Sequence, residues 1–173
     1  MLLALMLSVL CFIQSCDDPK KAKNYNQETM VDKSSVDFIN TALDGGRTEI
    51  KLATAAQRIS QNPRIVGFAK MMINDHTKAI NELKKLRKKE LINTDDALSP
   101  EHRKLIDSIS ELSGNDFDKA YVHQMVIDHE KTVSLFKDET QEREASVQDF
   151  ARKTLPTIQM HLDSAKALNA SLK

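Results

Sequence analysis

Apolar residues recur along most of this chain at spacings of three and four, the period of an α-helix that buries one face. From about Ser35 to Ser60, Phe38, Ala42, Leu52, Ala53, Ala56 and Ile59 fall on one side of a helical wheel. Asn62-Pro63 then offers a capping side chain and a first-turn proline. A second helix is predicted from about Pro63 to Glu90, with Ile65, Phe68, Ala69, Met72, Ala79, Ile80, Leu83 and Leu86 on its apolar face. After a loop through Asn93-Thr94-Asp95-Asp96, Ser99-Pro100-Glu101 opens a short helix that carries Leu105, Ile106, Ile109 and Leu112 and ends near Ser113, where Gly114-Asn115 breaks it. A third long helix is predicted from about Asp116 to Thr140, buried through Phe117, Tyr121, Val122, Met125, Leu135 and Phe136. A fourth runs from about Arg143 to Ser171 through Val147, Ala151, Leu155, Ile158, Leu162, Ala165 and Leu168.

Two features interrupt this pattern. Gly45-Gly46 lies inside the first helix. Glycine there costs about 1 kcal/mol relative to alanine, so a bend or a close helix contact is predicted. Pro156 lies inside the fourth helix, where it should kink the chain and free the Arg152 carbonyl. Four long amphipathic helices of similar length predict an all-α, antiparallel four-helix bundle over residues 35–173, with the short helix in the crossover between helices 2 and 3. Only 4 glycines and 4 prolines are present, which argues against a turn-rich β fold.

The segment before the bundle follows different rules. Met1 to Ile13 is apolar but shorter than the ~20 residues a membrane-spanning helix needs, and it matches the apolar core of a secretory signal. Ile13-Gln14-Ser15-Cys16 resembles a lipobox, the cleavage site of bacterial lipoproteins. That resemblance implies a signal peptide over residues 1–16, with Cys16 as the lipidated first residue of the mature chain. Residues 17–34 are polar and without period, and read as a flexible tether. The expected setting is the bacterial envelope, periplasmic or at the outer membrane, with the membrane as a partner through the lipid. Cys11 would leave with the signal peptide, so no disulfide is expected.

Charge removes one class of partner. Lys and Arg number 25 and Asp and Glu 25, for a net charge of zero. The basic run Lys84-Lys85-Leu86-Arg87-Lys88-Lys89 ends a helix, where cations complement the dipole, and it has no aromatics on which bases could stack. No nucleic-acid partner is expected.

The candidate chemistry lies among the inward-facing polar residues. Glu49 aligns within about 20° of Phe38, Ala42 and Ala56. His76 falls between Met72 and Ala79, His129 shares a face with Met125 and Phe136, and His161 one with Ile158 and Ala165. Each long helix therefore turns one metal-capable side chain inward. An isolated buried carboxylate is costly, and a metal ion or a Glu–His hydrogen bond would relieve it. Counted from the first turn, Glu49 and His76 sit at about the same height. His129 and His161 differ by about seven residues, or ~10 Å, so one site using all four needs a shifted fourth helix or the Pro156 kink. Asp75, Tyr121 and Asp128 are candidates for a supporting shell that orients imidazoles. Met72 and Met125 read as core filler. His102, His123 and Met160 fall off the apolar faces and read as solvent-facing. The candidate ion is a transition metal, Fe, Zn, Cu or Mn.

Phe38-x3-Ala42-x2-Gly45-Gly46-x2-Glu49, Phe68-Ala69-x2-Met72-x2-Asp75-His76, Phe117-Asp118-x2-Tyr121 with His129 eight further on, and Leu155-Pro156-x4-His161-Leu162 resemble, in order and spacing, the DUF4142 family of exported bacterial proteins. The resemblance covers nearly all of residues 36–168 and implies a ferritin-like bundle and export. It implies no activity. The sequence departs from the Glu-x-x-His pairs of di-iron carboxylate bundles, because Ile73 and Val126 stand three residues before His76 and His129. Two functions follow: a metal-binding or metal-sensing envelope protein using Glu49, His76, His129 and His161, or a non-catalytic structural or interaction module with a hydrogen-bonded polar core and a protein partner still to be identified. The chain has no H-E-x-x-H, nucleophile elbow or phosphate loop, so no conventional enzyme is predicted.

Overall fold

Asp32 starts the first helix. Its carboxylate accepts the Ser35 N–H at 2.8 Å, a cap worth about 1 kcal/mol, and α1 runs Lys33–Ile59. The computed structural model describes residues 31–93, 96–141 and 144–172. The signal peptide expected over residues 1–16, with Cys16, and most of the expected tether lie outside the described residues. Residues 31–34, read as the end of the tether, belong to the folded part: Val31 is buried and α1 begins two residues before Ser35.

α2 (Pro63–Lys89) opens as the sequence predicts, with Asn62 Oδ1 accepting the Arg64 N–H at 3.0 Å, and it ends on Arg87, Lys88 and Lys89. α3 (Pro100–Ser110) is the short crossover helix, capped by Ser99. Gly114, at φ +55°, turns the chain into α4 (Gly114–Glu139). α5 (Ala145–Ser171) continues through Pro156, whose side is exposed to solvent.

The four long helices form a helical bundle in which each packs antiparallel against two others. Gly46 of α1 faces Ile80 of α2, and Lys153 of α5 pairs with Glu82 of α2 at 3.0 Å. The Phe136 ring of α4 lies 6.0 Å from Phe150 of α5 and 4.9 Å from Phe38 of α1. α3 packs across α1 and α4. No helix among the described residues is long and apolar enough to cross a membrane.

Two apolar clusters fill the interior. One, toward the α1–α2 turn, contains Leu52, Ala56, Phe68, Met72, Phe117, Tyr121, Met125 and Leu168. The other, toward the α4–α5 turn, contains Phe38, Ile39, Leu43, Leu83, Phe136, Val147 and Phe150. Fully burying a side chain such as Leu52 or Met72 contributes roughly 1.5–3 kcal/mol. Between the clusters lies a layer that is polar. There, a Cβ added to Gly46 would stand 3.4 Å from Ile80 Cγ1 and 3.6 Å from His76 Nδ1, ordinary van der Waals contact, so α1 and α2 leave room for a methyl group at this point.

Candidate metal centre

The polar layer draws one residue from each long helix: Glu49, His76, His129 and His161, which are 3%, 5%, 0% and 1% exposed. The three imidazoles form a nearly equilateral triangle. Ring centroids are 5.7 Å apart for His76 and His129, 5.3 Å for His76 and His161, and 5.5 Å for His129 and His161. One ring nitrogen of each lies within 4.8 Å of the others. Glu49 stands beside them, Oε2 at 3.0 Å from His76 Nε2 and Oε1 at 3.6 Å from His129 Nδ1.

The ~10 Å offset predicted between His129 and His161 is therefore not found. Residue counting measures the height of Cα atoms, whereas helical side chains lean toward the N-terminus of their own helix. His129 leans away from the α4–α5 turn and His161 leans toward it, so the two tilts converge. No broken fourth helix is needed.

The hydrogen bonds of these rings set their direction. His129 Nδ1 is 2.8 Å from the Met125 carbonyl oxygen, and His161 Nε2 is 3.2 Å from Asp75 Oδ2. Neither oxygen can donate a proton here, so each of those nitrogens carries the N–H and the opposite nitrogen presents a lone pair. The opposite atoms, His129 Nε2 and His161 Nδ1, are buried with no hydrogen-bond partner, as is His76 Nε2. The 3.0 Å approach of Glu49 to His76 is thus an ionic contact too oblique to be a hydrogen bond. Three imidazole nitrogens without a hydrogen bond in one buried layer are exceptional, because buried polar groups normally find partners.

The electrostatics couple the same groups. Burial pushes the Glu49 carboxyl up, but the charges of His76 and His129 outweigh it and hold the group at about 2. Burial pushes His76 down, and the Glu49 carboxylate more than reverses this, leaving it raised. His161 is lowered to about 4 by burial and by the charge of His76, against the pull of Asp75. Burial pushes the Asp75 carboxyl up, but the hydrogen bond to His161, with help from Lys78, holds it below its ordinary value.

Other candidates divide. Asp75 orients an imidazole, though that of His161 on the facing helix and not that of its neighbour His76. Asp128 holds Gln124 Nε2 at 2.8 Å and bonds no histidine, and burial raises its carboxyl. The Tyr121 hydroxyl is buried without a partner, and burial together with the Glu49 charge pushes its pKa far up. His123 and Met160 are exposed, as read from the wheels. His102 is not simply solvent-facing: it is half-buried, with Nδ1 2.8 Å from Asp44 Oδ2. Nothing in helical periodicity joins α3 to α1, so the sequence carried no signal for this pair.

Three nitrogens and a carboxylate oxygen suit a borderline divalent transition ion. Around a tetrahedral ion with bonds of ~2.0–2.1 Å, nitrogens stand ~3.3 Å apart. The rings would draw in by at most ~1.5 Å, a distance that χ rotations cover.

A helical bundle with a buried histidine–glutamate layer is the class that fold and site define. Within it, the chain belongs to the family described as a domain of unknown function, DUF4142, whose family model matches residues 20–168. The fold is similar to the crystal structure of a DUF305 fragment from Deinococcus radiodurans, with 15% sequence identity, 80% of this chain and 97% of that chain covered, and a TM-score of 0.72. No curated protein sequence matches the chain.

Proposed function

We propose that the protein is an exported, lipid-anchored member of its family whose ferritin-like four-helix bundle binds one divalent transition-metal ion through Glu49, His76, His129 and His161. The observation that carries this reading is the convergence of three buried imidazoles, one nitrogen of each within 4.8 Å of the others, in a layer where His76 Nε2, His129 Nε2 and His161 Nδ1 make no hydrogen bond. The Met125 carbonyl and Asp75 fix two of the rings from behind, the arrangement that prepares histidine for a metal. The ion would balance the Glu49 charge and satisfy the orphaned nitrogens. Anchoring rests on the apolar run Met1–Ile13 and on Cys16 in its lipobox-like setting. The alternative reading, a structural or interaction module, draws on the 3.0 Å Glu49–His76 contact, which closes part of the polar layer without an ion.

The test is metal content by inductively coupled plasma mass spectrometry on chain purified without added histidines and titrated with Fe, Zn, Cu and Mn. One tightly held equivalent is expected, lost in His76→Ala while helical circular dichroism persists. Binding that survives His76→Ala would sink the assignment of these ligands, and no metal above background would favour a hydrogen-bonded polar core.

A further inference from the structure

Two cavities meet at His102. The inner one, about 330 Å3, lies between the long helices, with Glu49 and His76 at depth and Thr41, Gly45 and Lys131 toward the surface. The outer one, about 490 Å3, lies between α1 and the start of α3 and is bordered by Asn40, Asp44 and Ser99. Thr41 and His102 line both.

The His102 ring is fixed. Its Nδ1 lies 2.8 Å from Asp44 Oδ2, and the other Asp44 oxygen accepts the Ser99 N–H at 3.1 Å. With Nδ1–H given to the carboxylate, Nε2 keeps a lone pair, and no described residue hydrogen-bonds it. His129 and His161 are held in the same way, one nitrogen tied to oxygen and the other left over. At the far end of the inner cavity stands His76, 5% exposed, with its unpartnered Nε2. The outer cavity holds a second unsatisfied acceptor, the buried Asn40 Oδ1. Arg47, which borders it, is paired with Asp96. The rival path is poorer: a depression of about 260 Å3 over α2 and α5 reaches Asp75, but there Lys78 and Lys153 already hold Asp75 and Glu82.

We propose that the two cavities form one uptake route for a divalent transition-metal ion, and that His102, held by Asp44, takes the ion at their junction and passes it to His76 and Glu49. This rests on the metal-centre reading above. A hydrated cation loses its water stepwise, and a preset imidazole beside a carboxylate replaces part of that shell before the ion reaches the buried layer. Asp44 at the junction and Glu49 inside place a carboxylate at each end of this step.

The experiment is stopped-flow uptake of Co(II) by the metal-free full chain, read by the visible absorption of the bound ion, with release to a chelator measured in parallel. His102→Gln is expected to slow uptake and release alike, roughly tenfold, while the final absorption per chain and the dissociation constant stay unchanged. A residue on the path alters the barrier in both directions; a ligand of the final site alters the equilibrium. Gly45→Leu, placed where an added Cβ meets nothing within 4 Å, should slow uptake by narrowing the mouth without disturbing α1. Unchanged rates in both variants, or weakened affinity with an unchanged uptake rate in His102→Gln, would overturn the route. If the unaltered chain takes up no Co(II), the centre itself falls and the route with it.

Discussion

The two apolar ends of the bundle are built from similar residues and packed differently. Toward the α1–α2 turn, Phe117 stacks on Tyr121 with centroids 5.9 Å apart, Phe68 meets Tyr121 edge-on at 6.3 Å, and Met72 and Met125 fill the space beneath the polar layer. Toward the α4–α5 turn, Phe38, Phe136 and Phe150 also cluster, yet their end leaves a cavity of about 330 Å3 that reaches Glu49 and His76. One end seals the layer and the other opens it. Groups so costly to bury are therefore insulated on one side only, which gives the polar layer a direction.

Truncation should separate the ends most strongly. Leu52→Ala, in the sealed end, is expected to cost about 4 kcal/mol, because close-packed neighbours cannot collapse into the hole. Leu83→Ala, at the wall of the cavity, should cost about 2 kcal/mol, since part of its surface already lacks a neighbour. Urea unfolding of the metal-free chain measures both, and equal losses would erase the distinction.

The layer between the ends should show itself in pH. His161 is lowered to about 4 in the folded chain, so the unfolded chain takes up its proton first. Stability of the metal-free protein should then fall as pH drops from about 6.5 toward 4, by up to about 3 kcal/mol, with no further loss from this group below that window. His76, raised, acts with the opposite sign, its contribution being lost as pH rises through its folded value. Subtracting the unfolding profile of His161→Gln isolates the His161 part; identical profiles would refute it.

The smallest effect sharpens the comparison by adding atoms. Ala56→Leu, in the sealed end, should overpack and destabilise by about 2 kcal/mol. Ala79→Leu, at the cavity, should change stability by no more than about 1 kcal/mol and in the favourable direction. Melting temperatures of the two variants check this, and a loss at Ala79 as large as at Ala56 would show the cavity to be no reserve of space.

Local periodicity made the long helices legible because each has one continuous apolar stripe, and Asn62-Pro63 and Ser99-Pro100 marked starts that the structure keeps. Glu49 and His76 were legible as a pair because only a short turn separates their helices. His129 and His161 were legible as inward residues but not as neighbours, since wheel and height ignore the lean of the side chain. Asp75 as the partner of His161, and Asp44 as the partner of His102, join residues from helices distant in sequence. Glu139 was missed for a related reason: it is buried at the end of α4, where Ser35 Oγ donates to its Oε1 at 3.1 Å. The cavity had no sequence signal, because a wheel records which residues face inward and not whether they meet.

Gly46 marks a clearance of one carbon beside the polar layer. A Cβ added there would rest in ordinary contact with Ile80 Cγ1, at 3.4 Å, and with His76 Nδ1, at 3.6 Å. A methyl group therefore fits between α1 and α2 at this point, while a longer side chain would press on the imidazole that faces Glu49. The freedom of this position to vary ends at alanine, and what ends it is the ring of a candidate ligand.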